Sequence, residues 1–174
     1  MKNYIAVFLF WAVFLFSAVC IFADEDEKAT NATRVENAYS SYINALLSDN
    51  EETRVKAIKQ YLPTAKEVSR IWKDEQEAGI AWKMIKSWSD DLIANNKKVN
   101  AELTAGGVLV GVRAEEYRKT KKDIVTQAVP ETMPLFIVHS KHSEASSTTY
   151  SVIINQRVVF IENLVQICRK FEKK

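Results

Sequence analysis

The strongest constraint on the fold is a change of hydrophobic period at Gly106-Gly107: apolar residues recur at helical spacing before this pair and in short β-branched runs after it. Upstream, Val35, Ala38, Tyr39, Tyr42, Ile43, Leu46 and Leu47 fall at i, i+3, i+4, i+7, i+8, i+11 and i+12, and Thr33-Arg34-Val35-Glu36 reads as a capping box. This predicts an amphipathic helix of about 14 residues. A second box, Ser48-Asp49-Asn50-Glu51, predicts a shorter helix with Val55, Ile58 and Leu62 inward. Pro63 ends it, because proline disfavours helical geometry in the residue before it. A third box, Thr64-Ala65-Lys66-Glu67, opens the longest stretch, with Val68, Ile71, Trp72, Ala78, Trp82, Ile85 and Leu92 at helical spacing. About thirty residues is long for one globular helix, so a break is predicted near Gly79 and an end at Asn95-Asn96-Lys97-Lys98, with one more turn before the glycine pair.

Downstream, Val108–Arg113, Met133–His139, Thr148–Ile154 and Arg157–Ile161 read as strands, rich in β-branched and aromatic residues. Asn155-Gln156 between the last two predicts a tight hairpin. Ile124–Val129 is read as a further edge strand, Lys119–Asp123 as a charged surface connection, and Leu164–Phe171 as a terminal amphipathic helix. Helices first and strands afterwards predict an α+β fold, with helices over about 33–103 packed on a curved antiparallel sheet of about four strands over 107–162.

Residues 1–23 hold 20 apolar residues, and Lys2 is their one charge. A positive start, an apolar run and Ala23 ahead of Asp24-Glu25-Asp26-Glu27 have the parts of a secretory signal peptide cut after Ala23. The run of about 20 residues also has the length of an uncleaved anchor, and Cys20 suggests lipid attachment as a third route. Each route puts the domain outside the cytoplasm, periplasmic or secreted. Membrane contact is expected only through this segment, if it is uncleaved. Residues 24–32 read as a flexible acidic leader and 33–174 as a single domain. Without Lys2 the chain carries 23 basic and 22 acidic side chains, a balance that argues against a nucleic-acid partner. Cleavage leaves Cys168 alone, so no intrachain disulfide is expected; a half-buried small hydrophobe is its first reading and an intermolecular disulfide its second.

Residues 107–162 carry a resemblance. A strand ending in Val112-Arg113, a proline-containing strand at Met133–His139, the serine-rich loop Ser143–Ser147 and the hairpin Tyr150–Ile161 resemble the C-terminal hairpin of small exported bacterial proteins with a cystatin-like or NTF2-like sheet. The resemblance implies a helical half packed on a curved antiparallel sheet. It implies no catalytic residue, because that sheet hosts enzymes, ligand pockets and dimerisation modules alike.

Candidate chemistry is sparse. His139 and His142 are the only histidines, and residues three apart on a strand point to opposite faces; His139 is expected at a strand end, His142 in a solvated loop, and neither on a metal. Asp90-Asp91 and Glu115-Glu116 read as solvated faces, and Gly106-Gly107 lacks the lysine and helix of a phosphate loop. Trp82 and Trp88 are six apart, so they cannot share one narrow stripe; Trp82 is assigned to the core and Trp88 to its margin. Two functional classes remain. The first is a non-catalytic exported domain, needing no cofactor, that binds a partner protein, an envelope component or a small apolar ligand. The second is an enzyme using isolated acids such as Glu102 or Asp123 with His139; a membrane-tethered structural protein is a further alternative. Both faces of the Met133–His139 strand are apolar, so the second face needs a cover: the terminal helix, a second copy of the chain in a homodimer, or a partner. For the first class a pocket bounded by Trp82, Ile85, Tyr150 and Val152 is predicted between the helices and the sheet.

Overall fold

A computed structural model describes residues 27, 29–117 and 124–171. The expectations for the signal segment, its cleavage site, Cys20, residues 24–26 and 28 of the acidic leader and the whole Lys119–Asp123 connection lie outside the described residues.

Residues 29–46 form helix α1, so the helix starts inside the stretch read as leader, ahead of the Thr33 box. Thr33 Oγ1 donates to the Ala29 carbonyl at 3.0 Å, a bond made within a helix, and the Glu36 carboxylate accepts from the Ala114 N–H at 2.9 Å. Both members of the expected cap are therefore used elsewhere. Helix α2, Glu51–Tyr61, is capped by Asn50, whose side chain accepts from Thr53 N at 3.1 Å, two residues beyond the expected Ser48. Helix α3, Ala65–Ile71, opens with the predicted Thr64–Glu67 box, reciprocal hydrogen bonds included.

The long stretch divides, but at Trp72–Asp74 and not at Gly79. Asp74 accepts from Glu77 N at 2.9 Å and so starts a new helix, α4, Glu75–Ala94, with Gly79 inside it. Helix α5, Asn96–Ala105, then runs for ten residues where only one more turn was expected.

Strands β1 (Leu109–Glu116), β2 (Leu135–His142), β3 (Ser146–Ile154) and β4 (Arg157–Ile161) form one antiparallel sheet in the order β1-β2-β3-β4. The fold is α+β, with five helices ahead of the sheet. Asn155 and Gln156 both take positive φ, 49° and 64°, as a two-residue hairpin requires. The segment expected as a further edge strand is helix α6, Ile124–Ala128. Its buried residues, Val125, Ala128 and the following Val129, fall at i, i+3 and i+4, and a run this short does not reveal its period from sequence. Helix α7, Leu164–Arg169, closes the chain's described part.

Alternation along the strands builds two cores. Phe136, Val138, Val158 and Phe160 face α1 and α2, joined at the margin by residues of α4 and α5. Leu135, Val152, Ile154, Val159 and Ile161 face α3, α4, α6 and α7. The chain's own helices thus cover both sides of the sheet, α7 among them. Arg157 on β4 fastens the α2–α3 connection, donating to the Leu62 carbonyl at 2.7 Å, to the Gln60 carbonyl and to the Glu67 carboxylate. Burial works against the ionised Glu67, but the bonds from Arg157 and Thr64 outweigh it and hold this carboxyl below the usual range. No helix among the described residues is long and apolar enough to cross a membrane.

The glycine pair has a structural task. Gly107 has φ +83°, and a Cβ there would stand 1.9 Å from Ser143 Oγ. The β2–β3 loop docks on the pair through Glu144 N–H to Gly106 O (3.1 Å) and Ser143 N–H to Val108 O (3.0 Å). Gly107→Ala is expected to destabilise by about 1–3 kcal/mol. Gly79→Ala, in open helical space, is expected to stabilise by about 1 kcal/mol. Denaturant titration of both variants checks the pair, and equal effects would contradict this account.

Candidate functional site

Trp82, Ile85, Tyr150 and Val152 are brought together on the α3/α4/α6/α7 side of the sheet. Ile85 is 3% exposed and Val152 0%, and a side chain without exposure borders no space that water could enter. These two serve the core, while Trp82 and Tyr150 pack at its margin, Tyr150 edge-on to Tyr117 at 6.0 Å. Trp72 is buried, and Trp88 is half-buried like Trp82. Cys168 is fully buried in α7 and is a free thiol, deeper than the half-buried position expected.

His142 is not solvated. It is the last residue of β2, 6% exposed, with Nδ1 3.3 Å from the Gly107 carbonyl. His139 is within the strand, exposed, and on the opposite face. Among the described residues no group of three or more His, Cys, Asp or Glu is placed to hold a metal. Glu102 and His139 line different clefts, so the acid–histidine pairing of the enzyme hypothesis is not assembled, and Asp123 lies outside the described residues.

A cleft of about 310 Å³ opens where α4, α5 and the β4–α7 turn meet. Trp88, Asp91, Leu92 and Asn95 line it from α4 at i, i+3, i+4 and i+7, a single helix face. Lys98, Val99 and Glu102 form the facing wall from α5, which Asn100 fastens to the end of α1 by donating to the Leu46 carbonyl at 2.9 Å. Lys98 Nζ stands 3.7 Å from Glu102, an exposed i, i+4 contact worth only a few tenths of a kcal/mol. The third side is Glu162-Asn163. Asn163 takes φ 57° and makes no side-chain cap bond to α7.

Glu162 is the unusual group. Burial pushes its carboxyl above the ordinary range, and it has no hydrogen bond or ion pair to any described residue. The Tyr42 hydroxyl is pushed up as well, first by burial and then by the charge of the Glu162 carboxylate. Three acids and one lysine thus share the cleft with an indole, a leucine and a valine. Such a lining suits a positive group on an apolar stem, with Trp88, Leu92 and Val99 supplying apolar surface and the acids a counter-charge.

Sequence reasoning missed Glu162 although a signal was present. Val158 and Phe160 lie on the face of β4 that meets α1 and α2, and period two carries that face to residue 162, where an acid stands. No family model, curated protein or solved structure matches the chain.

Proposed function

We propose that this protein is a non-catalytic binding domain whose α4–α5–turn cleft takes a positively charged group on an apolar stem, either a small alkylamine or a lysine or arginine side chain of a partner protein. The export reading of residues 1–23 supports a ligand met outside the cytoplasm. The observation that carries the proposal is Glu162, a half-buried carboxyl with no hydrogen bond or ion pair to a described residue, lining a cleft that Trp88 also lines. Partial burial works against the ionised form of an unpaired acid, and a counter-charge that arrives with the ligand would offset that cost.

Calorimetric titration with n-butylammonium, and with butanol and butyrate as neutral and acidic counterparts, tests this. The amine is expected to bind, the other two not, and Glu162→Gln to weaken the amine about tenfold, as loss of one bond to a charged group predicts. Butyrate binding as tightly as the amine would overturn the reading. A lysine-rich peptide that binds more tightly than n-butylammonium, with the gain lost on lysine acetylation, would assign the group to a partner protein.

A further inference from the structure

We propose that the uncovered end of the sheet, across β1, β2 and β3, is a second and independent binding site, one for the phosphate or sulfate group of a small molecule. The strand register sets two rows of side chains on one face: Arg113 opposite His139 opposite Thr148, and Gly111 opposite Lys141 opposite Ser146. Neighbouring strands stand about 4.8 Å apart and alternate residues about 6.8 Å, so four donor-bearing side chains of these rows reach a common centre. The face is the one that buries Leu135 and Val152 further along, but the helices stop short of this end, where His139, Lys141, Ser146 and Thr148 are exposed. The result is a groove of about 440 Å³.

Gly111 shapes that groove. A Cβ at this position would meet nothing within 4 Å, so the missing side chain leaves a depression beside Lys141. Lys141 has no ion pair to any described residue, and the Ser146 hydroxyl has no hydrogen bond to one. Arg113 and His139 both lean on Glu115, at 3.7 and 3.6 Å, contacts long enough for an incoming anion to replace. Thr148 Oγ1 lies 3.4 Å from His139 Nδ1. Ser140 and Ser147, by contrast, bond to each other at 2.7 Å and approach Tyr39 at 3.4 Å from the opposite face, so they are already engaged. A guanidinium, an ammonium and two hydroxyls around one hollow form the donor set of a tetrahedral oxyanion. A polynucleotide would need a longer basic stripe than these two cations supply.

Amide-resolved NMR titration with inorganic phosphate and glycerol phosphate tests the site in the intact protein. Phosphate is expected to move the resonances of Gly111, Lys141 and Ser146 and to leave Asp91 and Glu102 still, which separates this site from the acidic cleft. Lys141→Gln should weaken binding about tenfold. Glu115→Gln should strengthen it severalfold, since the competing carboxylate is gone. Both variants change exposed side chains, so folding is not at stake. Recruitment to phosphatidylcholine vesicles only when they contain phosphatidic acid, abolished by Lys141→Gln and not competed by glycerol phosphate, would overturn the small-molecule assignment in favour of a lipid surface. Unmoved resonances with phosphate and with glycerol phosphate, or Lys141→Gln binding as the parent does, would overturn the site itself.

Discussion

Phe160→Ala is expected to lower the unfolding free energy by about 3–5 kcal/mol, the largest loss among the substitutions considered. Phe160 is 2% exposed, and three tyrosines enclose it: Tyr39 edge-on at 5.3 Å, Tyr42 at 5.4 Å and Tyr61 at 5.5 Å. These rings come from α1 and α2, so the phenyl group is the contact through which two helices grip β4. Its neighbour across the hairpin is Ser151, itself buried with an unpartnered hydroxyl, which offers nothing to refill the space. Phe160→Leu keeps most of the volume and is expected to lose less than half as much. Urea titration measures both, and a loss below about 1 kcal/mol for Phe160→Ala would show that the surrounding rings collapse into the cavity.

Arg54→Ala is expected to be the second most damaging change, at about 2–4 kcal/mol, because it leaves Asn96 Oδ1 without its donor and the Ser48 carbonyl with only the longer 3.4 Å bond from Asn100. Arg54 lies on α2 and is 4% exposed. Its Nε donates to Asn96 Oδ1 at 2.9 Å and its Nη1 to the Ser48 carbonyl at 2.7 Å, while the Asn96 amide donates to the Ile93 carbonyl at 2.8 Å. This chain of bonds holds α2 against the junction of α4 and α5, which carry two walls of the cleft. Asn96→Ala breaks the same chain, so the double variant should lose at least about 1 kcal/mol less than the sum of the singles. Additive losses in thermal or urea unfolding would show that the two residues act separately.

Legibility in the sequence followed locality. The Thr64–Glu67 cap, β4 and the Asn155-Gln156 turn rest on neighbours within a few residues and stand where their patterns put them, whereas β1, β2 and β3 form as expected with shifted ends, β2 excluding Pro134 and running on through His142. The Thr33 box failed because the same residue types can sit inside a helix, where Thr33 bonds back to Ala29 and Glu36 reaches the edge of β1. The helix break was assigned to Gly79 when Asp74 and Glu77 carried a stronger signal, a side-chain cap. Among candidate site residues, Trp82, Ile85, Tyr150 and Val152 were placed on one side of the sheet, and there they lie. How deeply Val152 is packed depends on α6 and α7, elements too short for periodicity to describe. The cleft escaped notice because it is assembled from α4, α5 and a turn some sixty residues later, a juxtaposition that only the tertiary structure supplies.

The binding proposal stands on Glu162, and thermal unfolding of Glu162→Gln with and without n-butylammonium tests it most directly. A carboxyl whose folded pKa is raised above its unfolded value contributes its stability below the ordinary glutamate range and loses it as pH rises through the folded value. Above the folded value the ionised group is therefore a burden, and there the neutral amide is expected to melt higher than the parent, the gap closing as pH falls below the ordinary glutamate range. Adding n-butylammonium should raise the parent's midpoint and raise the variant's clearly less, as a tenfold weaker affinity requires. A variant that melts lower than the parent across the pH range above the ordinary glutamate value, or one that responds to the amine as the parent does, would contradict the account.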